Sequence, residues 1–170
     1  TVNGMKKEGH IYRGVLYAGL MITENGPKLI EYNARFGDPE TQVLLMRLKT
    51  DLLPALIACA DGTLDQINLD WHRSAAVCVV MAANGYPAEY KKGTLIKGLQ
   101  KAGKIEDTQI FHAGTLLDQQ GDLIANGGRV LGITSLGEDL TMAQKRAYAA
   151  GDLIDWTDGF CRRDIGWRAI

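Results

Sequence analysis

Lys28-Leu29-Ile30-Glu31-Tyr32-Asn33-Ala34-Arg35-Phe36-Gly37-Asp38-Pro39-Glu40-Thr41-Gln42 runs from a strand through a break into a helix. Apolar Leu29 and Ile30 lead into alternating Glu31, Tyr32, Asn33, Ala34 and Arg35. Side chains along a strand alternate faces. Glu31, Asn33 and Arg35 are therefore expected on one face, with Ile30, Tyr32 and Ala34 on the other. That face carries a carboxylate, an amide oxygen and a guanidinium in a row. Hard cations take oxygen ligands and usually keep waters and substrate phosphates besides. Glu31 and Asn33 suit such a cation, and Arg35 suits a phosphate or carboxylate. Gly37-Asp38-Pro39-Glu40 then breaks the strand. Asp38 reads as an N-cap, Pro39 as the first helical residue and Glu40 as the first turn. A solvated strand face and an ordinary helix start account for the same residues, so the pattern alone leaves both readings open.

Working outward, residues 1–9 are polar and read as the end of a helix. Residues 11–23 and 28–35 are β-rich, and Thr23-Glu24-Asn25-Gly26-Pro27 between them holds the Asn-Gly hairpin signal. The first strand, Gly14 to Ile22, carries no acid, and Glu24 falls in the turn. Residues 39–49 read as a helix with Val43, Leu44, Met46 and Leu48 inward. A second helix spans about 51–60, capped by Asp51, with Leu52, Leu53, Leu56 and Ile57 inward and Asp61-Gly62 at its end. Trp71 is the expected packing anchor of the polar stretch 63–73, and a module boundary falls near 70–74.

The second module is mostly β. Ser74 to Ala83 is apolar enough for a strand buried on both faces. A turn at Asn84–Pro87 and a short strand near Thr94–Ile96 follow, and 99–108 reads as a polar connection. Ile110–Leu117, Leu123–Ala125 and Arg129–Ser135 read as strands, with hairpin turns at 118–122 and 126–128. Thr141 is the expected cap of an amphipathic helix reaching about Ile154, with Ala143, Ala147, Ala150 and Leu153 near one face. The tail from Trp156 reads as irregular.

The chain has 170 residues, 46% of them hydrophobic and 23% charged, an ordinary globular balance. A net charge of −1 gives no basic field, so nothing points to nucleic acid. No apolar run approaches a membrane span, and the start Thr1-Val2-Asn3-Gly4-Met5 is no signal peptide. Lacking an initiator Met, the chain is expected to have a cut or processed beginning. Cys59, Cys78 and Cys161 are an odd, widely spaced set, which fits reduced thiols in a cytoplasm, with Cys59 and Cys78 as small core residues.

The wording Glu31-x-Asn33-x-Arg35-x-Gly37-Asp38-Pro39-Glu40-Thr41-Gln42 resembles the last metal-binding strand of the ATP-grasp ligases. Within them it resembles the glycinamide ribonucleotide synthetases, or phosphoribosylamine–glycine ligases. The likeness runs on through Tyr12-Arg13-Gly14-Val15-Leu16-Tyr17-Ala18-Gly19-Leu20-Met21, Gly85-Tyr86-Pro87, Lys92-Gly93 and Phe111-His112-Ala113-Gly114-Thr115. It closes with Asn126-Gly127-Gly128-Arg129-Val130-Leu131 and Arg163-Asp164-Ile165-Gly166. Each piece is weak, whereas their order and spacing together are specific.

The resemblance implies an α+β chain in two parts. Residues 1–72 correspond to the C-terminal part of an ATP-grasp domain. Residues 73–170 correspond to the family's small β-rich domain, of the rudiment single-hybrid (barrel-sandwich) type. The substrate domain and earlier ATP-binding portion of the family are expected elsewhere, as a missing N-terminal part. The implied partners are ATP, glycine and 5-phosphoribosylamine, with magnesium or manganese on Glu31 and Asn33. Arg35 and Asp38 are the implied catalytic residues, and Arg35, Asp38 and Arg129 the implied substrate or phosphate ligands. Many ATP-grasp enzymes carry a further metal carboxylate on the preceding strand, and this chain departs from that pattern. Other polar residues divide less sharply: His112 reads as a structural hydrogen-bonder, Lys92 and Arg129 as turn-flanking cations within reach of phosphate, and Arg163 as a partner of a loop or of Asp164. Another ATP-grasp ligase or a carrier module are the competing readings. The first would share Glu-x-Asn-x-Arg without the flanking segments, and the second needs a lysine at a hairpin tip, which this chain lacks.

Overall fold

The computed structural model describes residues 1–170. In chain order the first half holds α1 (Val2–Lys7), β1 (Tyr17–Thr23), β2 (Gly26–Asn33), α2 (Glu40–Arg47) and α3 (Leu52–Asp61). The second half holds β3 (Ala75–Ala83), β4 (Thr94–Leu95), α4 (Leu99–Ala102), β5 (Thr108–His112), β6 (Thr115–Leu117) and β7 (Leu123–Ala125), then β8 (Arg129–Gly137), α5 (Leu140–Gly151) and β9 (Gly159–Cys161). Helices mix with sheets whose strand pairs are all antiparallel, an α+β arrangement. Contacts divide the chain into two units. One is Thr1–Asp38 with Leu48–Trp71, and the other is Pro39–Arg47 with His72–Ile170. No helix is long and apolar enough to cross a membrane.

In the first unit β1 and β2 form the expected hairpin, closing at the pair Thr23↔Gly26 around Glu24 and Asn25. Pairing begins at Tyr17 rather than Gly14, because Gly14 turns to φ +140° and the Tyr12 hydroxyl donates to Val15 O over 2.6 Å. Asp51 caps α3, accepting from Leu53 N at 3.0 Å, and Gly62 ends it at φ +78°, a conformation glycine adopts at little cost. The buried face of α3 is Ala55 and Ala58. Leu53, Leu56 and Ile57, expected inward, are exposed. So are Leu20, Met21, Ile22, Leu29 and Ile30 on the hairpin. Trp71 bridges to Leu48 but stays 41% exposed, a weaker anchor than its size suggested.

The second unit is built on a four-stranded sheet ordered β5-β8-β3-β9, beside a three-stranded sheet ordered β4-β7-β6. β3 and β8 are central, which explains their near-continuous apolar sequences. Ala143, Ala147 and Ala150 of α5 are fully buried over Val79, Leu131 and Ile133 in one core. Small residues let the helix approach closely: a Cβ on Gly137 would lie 2.4 Å from Ala143 N. α2 packs on β3 and β8 and belongs to this unit, although the sequence boundary near 70–74 grouped it with the preceding residues. Val43 and Met46 are half-buried and Leu44 is exposed, so α2 offers less to the core than its apolar spacing promised.

Several expected elements differ. Ile110–Leu117 is two strands in two sheets, β5 and β6. Gly114 breaks it, because its backbone meets Gly127 so closely that a Cβ would stand 2.7 Å from Gly127 Cα. Asn126–Gly128 is no hairpin turn, since β7 and β8 lie in different sheets. The connection 99–108 contains α4, whose Ala102 is fully buried. Asp139, not Thr141, caps α5 by accepting from Met142 N at 2.8 Å, and Leu153 is exposed. The tail adds β9 to the edge of β3. Cys78 is buried as expected, while Cys59 is only half-buried.

Candidate metal and phosphate site

Glu31 and Asn33 lie on the last turn of alternation in β2, and the structure brings them together. Asn33 Nδ2 donates to Glu31 Oε1 over 2.9 Å. Residues two apart on a strand share a face, so the contact follows from the pleat. The bond leaves the second carboxylate oxygen of Glu31 and the amide oxygen of Asn33 outside it. Glu31 is exposed and Asn33 half-buried.

Opposite Glu31 on β1 stands Gly19. The ladder then slips: Leu20 pairs with Leu29, so Ile30 has no partner across the hairpin. Bulges of this kind bend a strand and re-aim neighbouring side chains. Gly19 was not singled out from the sequence. A glycine inside a strand was the available signal, since it marks a bulge or a close approach.

Arg35 departs from the expected row. β2 ends at Asn33, so strand alternation does not reach Arg35. Its Nη1 donates instead to the adjoining Phe36 O over 2.9 Å, and the side chain is exposed. Asp38 is exposed in the turn before α2, which starts at Glu40, one residue later than expected. Arg129 is the exposed first residue of β8 in the second unit. Glu24 sits exposed at the hairpin tip, as expected for a solvated turn residue.

Two hard oxygen donors side by side suit a divalent cation such as magnesium. No group of three or more His, Cys, Asp or Glu side chains in the chain is placed to hold a metal ion. A cation held by Glu31 and Asn33 would need its remaining oxygens from other groups, such as phosphate or water.

Other candidates resolve into structure. His112 Nδ1 lies 3.1 Å from Thr115 Oγ1, bridging the break between β5 and β6. Arg163 pairs with Asp152 at 2.7 Å and covers the Tyr148 ring, whereas it is Arg162 that pairs with Asp164, at 2.6 Å. The Arg162 hydrogen bond holds the Asp164 carboxyl below its ordinary value.

Residues 76–168 match the family described as phosphoribosylglycinamide synthetase, C domain, and residues 1–41 match its ATP-grasp (A) domain. The chain is 56% identical over 170 residues to a phosphoribosylamine–glycine ligase of Agrobacterium fabrum, covering 100% of this chain and 40% of that protein. It is 53% identical over 173 residues to the chloroplastic phosphoribosylamine–glycine ligase of Arabidopsis thaliana, covering 100% of this chain and 32% of that one. A crystal structure of phosphoribosylamine–glycine ligase from Thermotoga maritima superposes with a TM-score of 0.81 at 36% identity, over 95% of this chain and 39% of that chain. The chain thus spans about 40% of the length of the bacterial relative.

Proposed function

The chain belongs to the phosphoribosylglycinamide synthetase family, and from that premise we propose that it is the C-terminal portion of a ligase joining glycine to 5-phosphoribosylamine. The reaction consumes ATP and yields glycinamide ribonucleotide, ADP and phosphate, a step of purine synthesis in the cytoplasm. In this reading residues 1–72 complete an ATP-grasp domain, and residues 73–170 are a rudiment single-hybrid domain. The partners are ATP, glycine, 5-phosphoribosylamine and the N-terminal part of the same enzyme.

A glycine carboxylate resists amine attack because its oxygen is a poor leaving group. Transfer of the ATP γ-phosphoryl to that oxygen gives glycyl phosphate and ADP. The amine nitrogen then bonds to the carbonyl carbon, the C–O bond to phosphate breaks, and the amine loses a proton. Such chemistry demands positioning and charge neutralisation more than a protein nucleophile. Glu31 and Asn33 would hold magnesium or manganese, which when bound neutralises phosphate charge. Arg35 leaves Phe36 O and sets its planar fork against the transferring phosphoryl oxygens. Asp38, acceptor-only when ionised, holds the ammonium or amine of a substrate. Arg129 contributes a cation toward phosphate.

The observation that carries this reading is the Asn33–Glu31 contact of 2.9 Å, which sets two oxygen donors side by side within the part matched to the ATP-grasp domain. The test is phosphate release by the full-length enzyme, with and without glycine and 5-phosphoribosylamine, in the native protein and in Glu31→Gln. Release should need both substrates and fall about 100-fold in the variant. Release independent of either substrate, or untouched in the variant, would overturn the reading.

A further inference from the structure

A Cβ at Gly19 would press on a side chain of the candidate site, Glu31. Its backbone does not demand glycine, since its φ is not positive. Its surroundings do. A Cβ built there would lie 3.3 Å from Glu31 Cγ, 3.6 Å from Glu31 O and 3.8 Å from Glu31 N. The two backbone distances are ordinary contacts, while the one to the Glu31 side chain is tight enough to force movement. The same residue marks the slip in the ladder, where Gly19 pairs with Glu31 and Ile30 is left over. Along its own strand, Glu31 receives the 2.9 Å bond from Asn33 Nδ2.

We infer that Gly19 is a positioning residue, whose missing side chain leaves room for the Glu31 side chain over the facing strand while it contacts Asn33, two residues along its own strand, and so aligns the two oxygen donors for a divalent cation. This rests on the metal reading of Glu31 and Asn33 and adds how the carboxylate is aimed. A methyl group at position 19 displaces Glu31 Cγ by a few tenths of an ångström, and the carboxylate beyond it swings further. Partners that orient a metal ligand typically contribute about 10- to 100-fold to metal affinity.

A purely structural role would show as a fall in stability on substitution, whereas a positioning role would not. Alanine loses less conformational freedom on folding than glycine and is better tolerated within a strand. Gly19→Ala should therefore leave the thermal midpoint unchanged or raise it. Loss of metal affinity without loss of stability separates the two.

The experiment titrates Mn2+ into the full-length enzyme, followed by its electron paramagnetic resonance signal, for native protein, Gly19→Ala, Glu31→Gln and the double variant, with Tm measured for each. Gly19→Ala should weaken Mn2+ binding about tenfold at unchanged or higher Tm. In the Glu31→Gln background the same substitution should add nothing, since residues acting through one contact are not additive. Unchanged affinity in Gly19→Ala, an equal further loss in the double variant, or a fall in Tm that tracks the loss of binding would each overturn the inference. If Glu31→Gln itself leaves Mn2+ binding intact, the metal reading fails, and the positioning role fails with it.

Discussion

Trp156 donates its indole Nε1–H to the hydroxyl oxygen of Thr94 over 2.8 Å, and both residues are buried. The bond ties β4 of the three-stranded sheet to the segment following α5. Thr94→Val keeps the shape but leaves the indole N–H unpaired away from water. An unpaired buried donor costs about 1–3 kcal/mol. Chemical denaturation of the full-length enzyme or of residues 1–170 should show that loss, and Thr94→Ser should recover most of it.

Arg35→Lys preserves charge and discards the planar fork. In the structure the guanidinium donates to the Phe36 carbonyl, a bond it would give up for the proposed phosphoryl partner. The expected result is a fall in kcat of about tenfold or more with KM for ATP nearly unchanged, since an interaction made only in the transition state lowers turnover rather than affinity. Steady-state kinetics of the full-length variant checks this. A rise in KM at constant kcat would move Arg35 onto the ground-state nucleotide.

Burial pushes the Cys161 thiol above its ordinary value of 9.0, the Arg163 guanidinium pulls it partly back, and Asp152 pushes it up again. Thiolate is the reactive form. Alkylation of Cys161 at pH 8, in a protein with Cys59 and Cys78 replaced by serine, should run slower than that of free glutathione. Arg163→Gln should slow it further. For stability, the folded thiol keeps its proton to higher pH than the unfolded one, so the unfolded chain binds fewer protons in the window above pH 9.0. The contribution is intact below that window and declines as pH rises through it. A thermal midpoint that rises between pH 8 and 10 in the native protein relative to Cys161→Ala would contradict the assignment.

What was legible in the sequence follows from how local each signal is. Asn25-Gly26 marked the hairpin, and Asp51 and Gly62 marked both ends of α3, because turns and caps are set by adjacent residues. That Glu31 and Asn33 share a face was legible for the same reason, as a period of two on one strand. Arg35 was not, because alternation says nothing about where a strand stops. Leu53, Leu56 and Ile57 show another limit: apolar spacing identifies a face, but not whether anything covers it. The break at Gly114 was hidden because it depends on Gly127, a contact between separate strands' ends rather than a property of the local run. Asp139 and Thr141 both suit an N-cap, and only the helix start at Leu140 separates them.

Residues 1–170 on their own are expected to form no glycinamide ribonucleotide. The chain spans 40% of the Agrobacterium relative, and the proposed Glu31–Asn33 site would be a single strand's share of a nucleotide cleft. Holding two substrates in attack geometry supplies much of the rate in joining reactions, and one wall of a cleft cannot hold them. The first unit also leaves Leu20, Ile22, Leu29 and Ile30 of its hairpin and Leu53 and Ile57 of α3 in solvent. Exposed apolar surface of that kind marks a contact surface. Purified residues 1–170 should therefore bind an apolar fluorescent dye, and the upstream part of the enzyme added in trans should displace the dye while restoring turnover. Full ligase activity from residues 1–170 without that addition would refute both the division of the cleft and the placement of the remaining nucleotide contacts outside this chain.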